Sequence, residues 1–101
     1  MLDEFIWGTV SRISPEAPVP VVAVDRETSY PGGAANVARN LHEFTARTSV
    51  FGLAGEDAAG ARLRDLLAAG GIGMEGVVMR EGPTTVKTRI IARTQQVVRV
   101  D

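Results

Sequence analysis

Two glycines behind a proline, Pro31-Gly32-Gly33, constrain this chain more than any other stretch. A strand cannot continue through them, and glycine permits backbone angles and close approaches that a Cβ forbids. A helical pattern follows at once. Ala34, Val37, Ala38, Leu41 and Phe44 fall at the spacing of one apolar face, so this stripe is expected to be buried. The product is a turn feeding a helix N-terminus, where unpaired N–H groups and the helix dipole favour oxygen ligands. Asn36 sits in the first turn with an amide that both donates and accepts, the chemistry for gripping a hydroxyl. The alternative is a plain loop-to-helix corner with Asn36 as a local cap.

Composition narrows the function classes. The formal net charge of −1, from 11 Lys and Arg against 12 Asp and Glu, gives no electrostatic case for nucleic acid or an anionic membrane. The absence of cysteine removes disulfides, thiolate nucleophiles and thiolate metal sites, and fits a reducing cytoplasm. No apolar run approaches membrane-spanning length. The single histidine, His42, lies on the polar side of the helical pattern and reads as a solvated helix residue.

Along the chain, Met1 to Trp7 reads as a continuation rather than a beginning, and Gly8 to Ser11 as a short strand. Three prolines between Arg12 and Pro20 leave only an extended edge segment. Val19 to Val24 is a β-branched strand, Asp25-Arg26-Glu27 a polar turn, and Thr28 to Tyr30 a short return. After the first helix, Thr48 to Leu53 reads as a buried strand. A second helix begins at Asp57 as N-cap, with a stripe of Ala59, Leu63, Leu66 and Leu67, and stops at Gly70-Gly71. Gly76 to Met79 is another short strand. In the run from Thr84 to Arg93, period two puts Val86, Thr88, Ile90 and Ala92 on one face. Lys87, Arg89, Ile91 and Arg93 take the other. Thr94-Gln95-Gln96 turns the chain, and Val97 to Val100 pairs back. This alternation argues for an α/β layer fold.

Few residues carry chemistry. Gly52, Gly55 and Gly60 lack the spacing of a phosphate loop or a dinucleotide fingerprint and read as structural. Asp3, Glu4, Glu56 and Asp57 have no metal-ligand spacing. Lys87, the only lysine, shares its face with Arg89 and Arg93, which suits a phosphate monoester or, equally, a solvated hairpin face.

Gly32, Gly33, Asn36, Ala38 and Gly55 together resemble the first signature of the PfkB, or ribokinase-like, carbohydrate kinases. Thr45 departs from it, since the family usually has Gly or Ser where the first helix ends, so that exit is expected to be altered locally. The runs from Arg12 to Val22 and Pro31 to Ala38 are similar to one branch, the heptose-7-phosphate kinases that form the kinase half of bifunctional ADP-heptose synthases. Leu2 to Gly8 and Arg93 to Asp101 resemble the same branch.

The resemblance implies part of a three-layer α/β kinase, with antiparallel lid strands over about 8–30 and the start of the α/β core over about 31–101. It implies a sugar held by Asp3, Gly32, Gly33 and Asn36, and a sugar phosphate met by Lys87, Arg89 and Arg93. ATP and Mg2+ would serve the complete enzyme, which is expected to be cytoplasmic and to dimerise through its lid strands. The family's first strand would precede Met1. Its second signature, Asp-Thr-x-Gly-Ala-Gly-Asp, which carries the anion hole and catalytic base, has no counterpart among the 101 residues. The chain by itself is therefore expected to be inactive. Two alternatives remain: a kinase of the same family for another sugar, such as ribose or fructose, and a non-catalytic lid that dimerises.

Overall fold

The computed structural model describes residues 1–16 and 18–101; Ala17, inside the three-proline segment, lies outside the described residues. Eight elements follow in order: β1 (Leu2–Ile13), β2 (Pro20–Pro31), α1 (Ala34–Leu41), β3 (Ser49–Gly55), α2 (Ala58–Ala69), β4 (Gly73–Arg80), β5 (Val86–Ala92) and β6 (Gln95–Val100). They divide into two compact units. The first holds residues 1–3 and 30–86, the second residues 4–29 and 87–101.

In the first unit, β3 and β4 pair in parallel, Leu53 opposite Val78, with α2 as the crossover. Parallel neighbours need such a connection. The Asp57 carboxylate caps α2 by accepting from the Gly60 N–H at 2.8 Å. The helix ends where Gly71 takes φ +73, with its N–H bonded to the Ala68 carbonyl and the Ile72 N–H bonded to that of Leu67. That is the double-bonded glycine exit which satisfies orphan carbonyls. Leu2, Ala35, Ala38, Leu63, Leu67 and Ile72 form the core, with Leu2 and Leu67 fully enclosed. Burying each of those two leucines contributes about 1.5–3 kcal/mol.

The four-stranded sheet runs in the order β2-β1-β5-β6. Bonds from Gly32 to Met1 and from Ser14 to Val19 bracket β1 and β2 as an antiparallel pair, and β5 and β6 also pair antiparallel. Adjacent residues of β5 reach opposite faces. The Thr88 hydroxyl donates to Glu4 at 3.3 Å, while the Arg89 guanidinium lies 5.4 Å from the Phe5 ring centroid.

Several sequence expectations need correction. β1 runs unbroken from Leu2 and is not a short strand at Gly8. β2 passes straight through Asp25-Arg26-Glu27, because those polar side chains are exposed and cost the strand nothing. The hairpin turn is Arg93-Thr94, since Ala92 pairs with Gln95. Arg93 therefore stands beyond β5, with φ +61, and not on the strand face with Lys87 and Arg89. In α1, Ala35 and Ala38 are buried, whereas Val37, Leu41 and Phe44 are exposed, Phe44 by 88%. The apolar arc of this helix is wider than its contact, and its small residues allow the close approach. His42 is half-buried, not solvated, with its ring against Gly71 and its Nδ1 enclosed without a hydrogen bond. At Thr45 the hydroxyl bonds both the N–H and the carbonyl of Arg47, forming a local turn at the helix exit.

Candidate functional site

The glycine corner and Asp3 both belong to the first unit. β2 ends at Pro31, and the Gly32 N–H donates to the Met1 carbonyl at 2.9 Å, which ties the corner to the start of β1. The two glycines are required for different reasons. A Cβ on Gly32 would lie 2.8 Å from Cγ and Oδ2 of Asp3, so the bare backbone is what admits the carboxylate. Gly33 has space, but its φ of +58 with ψ of −128 is a conformation that side chains rarely tolerate.

Gly33 is also the N-cap of α1, and no side chain caps this helix. Ala35 donates to the Gly32 carbonyl, and Asn36 and Val37 donate to that of Gly33. Among the described residues, no hydrogen bond takes up the N–H groups of Gly33 and Ala34. Asn36 is not a cap. Its Oδ1 accepts from Arg39 at 3.2 Å, and the Arg39 guanidinium lies 5.8 Å from the Tyr30 ring. The half-buried Asn36 amide is thus braced on its oxygen side, with its nitrogen making no bond among the described residues. A cavity of about 290 Å3 in this unit reaches Met1, Ala34 and Ala35, but Val50, Phe51, Leu53, Leu63 and Leu67 give it an apolar wall.

A second cluster of this unit escaped sequence reasoning. The Asp57 carboxylate accepts from the Thr84 hydroxyl at 2.6 Å and the Thr84 N–H at 2.8 Å, and the Gly55 N–H donates to the Thr84 hydroxyl at 2.9 Å. These bonds, Thr84's hydroxyl first, hold the Asp57 carboxyl below its usual range. Gly55 and Gly60 pack where no Cβ fits, Gly55 against the Gly82 carbonyl and Gly60 against that of Gly55. The cluster clamps the β3–α2 turn to the segment before β5. Nothing local in the sequence could pair residues 27 apart.

Lys87, Arg89 and Arg93 belong to the other unit. Arg89 pairs in register with Arg99, a like-charge juxtaposition that costs stability unless offset. The offset is Asp101, which accepts three bonds from Arg99, the shortest 2.6 Å. Its carboxyl is held low chiefly by those bonds, with the charges of Arg99, Lys87 and Arg89 adding. The cations of this hairpin therefore attract an anion together.

Among the described residues, no group of three His, Cys, Asp or Glu side chains could hold a metal ion. No described helix is long and apolar enough to cross a membrane.

The fold is similar to that of Escherichia coli phosphofructokinase-2 solved with fructose-6-phosphate. The TM-score is 0.73 at 24% identity, covering 97% of this chain and 31% of that one. It is likewise similar to Thermotoga maritima ribokinase, with a TM-score of 0.72 at 16% identity over 98% of this chain and 32% of that one. In sequence, the chain is 52% identical to the bifunctional protein HldE of Caulobacter vibrioides, over its whole length and 21% of the relative's. It is 48% identical to the D-beta-D-heptose 7-phosphate kinase of Bordetella bronchiseptica, again over its whole length and 32% of the relative's. The chain thus spans about a fifth to a third of these two relatives. The pfkB family carbohydrate kinase model matches residues 3–100, and with the ribokinase-like fold around the Gly32-Gly33 corner this chain belongs to that family.

Proposed function

We propose that this chain supplies the acceptor-sugar side and lid of an ATP-dependent kinase that phosphorylates heptose 7-phosphate, a step toward ADP-heptose for the lipopolysaccharide core. The observation that carries the reading is the Asp3 carboxylate seated against the Gly32 backbone, beside a helix start whose first two N–H groups, of Gly33 and Ala34, take no hydrogen bond among the described residues. A sugar offers neighbouring hydroxyls that each donate and accept, so its grip needs an ionised acceptor and amide donors together. Asp3 supplies the first. The N–H groups of Gly33 and Ala34 and the Asn36 amide supply the second. Lys87 and Arg89 would meet the acceptor's phosphate, which favours a phosphorylated sugar over ribose or fructose. Identity of 48–52% to proteins named heptose 7-phosphate kinase and HldE supports the same substrate class.

Phosphoryl transfer also requires a nucleotide site and a base on the acceptor hydroxyl. No residue of this chain is given either role, and the chain alone is expected to transfer nothing from ATP. Residues of about 8–30 act as lid strands, in one sheet with β5 and β6, and those of about 31–86 as the start of the core, in a cytoplasmic homodimer.

The test is a titration of the isotope-labelled chain with heptose 7-phosphate, followed by amide resonances. The Gly33 and Ala34 backbone signals and the Asn36 side-chain signal are expected to shift together and saturate. Saturable binding that leaves all three unmoved would overturn the reading.

A further inference from the structure

No side chain caps α1, yet one residue further along the helix reaches back to its start. Arg39 lies in the last turn of α1, three residues after Asn36, and so projects from the same face of the helix. Its guanidinium donates from Nη2 to the Asn36 Oδ1 at 3.2 Å. The same guanidinium lies over the Tyr30 ring, 5.8 Å from the centroid. Tyr30 directly precedes Pro31-Gly32-Gly33, so Arg39 ties the end of β2 to the first turns of α1 across the corner itself. All of these residues belong to the first unit.

Chemistry makes this contact directional. A carboxamide has nearly the same shape either way round, but one end accepts hydrogen bonds and the other donates them. A guanidinium has five N–H donors and no acceptor, so it can take only the oxygen end. The bond is charge-assisted. By drawing electron density toward Oδ1 it makes the two hydrogens on Nδ2 stronger donors. The Tyr30 ring keeps the guanidinium over the corner, since a cation is attracted to an aromatic face.

We infer that Arg39 is a positioning residue of the corner: held on Tyr30, it takes the Asn36 oxygen and leaves the amide nitrogen as the end offered to a ligand. The inference rests on the reading of the corner as a sugar site, and it adds a polarity to that grip. The Asp3 carboxylate accepts, while the N–H groups of Gly33 and Ala34 and the Asn36 nitrogen donate. A sugar hydroxyl held between the two sides gives its hydrogen to Asp3 and accepts from an amide. Without Arg39 the Asn36 amide is free to turn and to meet the hydroxyl with either end.

The brace is read first in the sugar-free 101-residue chain, from 15N relaxation of the Asn36 side-chain amide. Arg39 is exposed, and Arg39→Met keeps its length and helix propensity, so the variant is expected to fold with an unchanged melting temperature. Its Asn36 order parameter should fall into the flexible range, below about 0.6, and the Nδ2 resonance should move. Arg39→Lys keeps a donor-only cation and should recover part of both. An Asn36 amide that Arg39→Met leaves as ordered as before, at the same resonance, overturns the inference. The second reading is titration with heptose 7-phosphate. Arg39→Met should bind about two- to tenfold more weakly, twofold where the amide offers its nitrogen half the time and tenfold where the contact is lost. Its Gly33 and Ala34 signals should still respond. Undiminished affinity in Arg39→Met, with the Asn36 amide released, also overturns the positioning role. A wild-type corner that ignores the sugar while Arg39→Met releases the amide strikes the sugar reading and supports the brace, so the two failures are told apart.

Discussion

At Gly32 a single methyl group decides whether the corner exists, because it would collide with the Asp3 carboxylate. Gly32→Ala is expected to push Asp3 away from the corner and lower stability by about 1–3 kcal/mol, as overpacking does, measurable by urea unfolding. Gly33→Ala has room for its methyl group but must hold φ +58, and should cost a similar amount, about 1–3 kcal/mol, through the backbone alone. The Asp57 clamp carries a pH signature. Its folded pKa lies below the ordinary 3.8, so its contribution is complete above that value and is lost as pH falls through the folded one. Asp57→Asn should lower the melting temperature at neutral pH and make the acid limb of the stability profile shallower; an unchanged limb would reject the role. Thr84→Val strands the buried Gly55 N–H and should cost about 1–3 kcal/mol.

At the scale of elements, α2 was legible and α1 only half so. α2 has a capping aspartate, a leucine stripe and a paired-glycine stop, and Leu63 and Leu67 are buried where the stripe puts them. Leu67→Ala should destabilise by about 2–5 kcal/mol in denaturant titrations, since a fully enclosed leucine leaves a cavity in a small core. In α1 the pattern announced a helix but chose the wrong contact edge, because periodicity measures how apolar residues are spaced and not which of them meet a neighbour. Val37 and Leu41 are more than half exposed while two alanines are buried. β2 misled for a related reason. Asp25, Arg26 and Glu27 look like a turn in sequence, yet an exposed strand accepts charge, and Arg26 finds the Trp7 face across the pair. The corner was legible from Pro31-Gly32-Gly33 alone, whereas the approach of Asp3 to Gly32 came from family resemblance. The Arg26 and Trp7 contact and the Thr84 clamp came from neither, since both depend on contacts between distant segments.

For the molecule as a whole, the four-stranded sheet ends in two edges, β2 and β6, whose unpaired backbone groups invite another strand. On β2 the charges decide where a second copy can pair. A two-fold antiparallel pairing centred on Arg26 would set Arg26 against Arg26 and Asp25 against Glu27, like charges directly opposed and therefore unfavourable. Centred on Val22, the same symmetry sets Val21 against Ala23 and Pro20 against Val24, a β-branched and apolar match. Val19 and Val24 are 51% and 55% exposed, as a surface awaiting such a match would be. The proposed homodimer is thus expected to form through Val19 to Val24 and not through the charged half of β2. Val24→Lys brings a charge into that stretch and should raise the dimer dissociation constant by at least about tenfold, a cost on the order of 1.4 kcal/mol. Glu27→Ala, outside it, should leave the constant unchanged. Sedimentation over a range of concentrations reads both. A wild-type chain that stays monomeric throughout, or a dimer indifferent to Val24→Lys, would rule this edge out and leave the apolar residues Val97, Val98 and Val100 of β6 as the next surface to test.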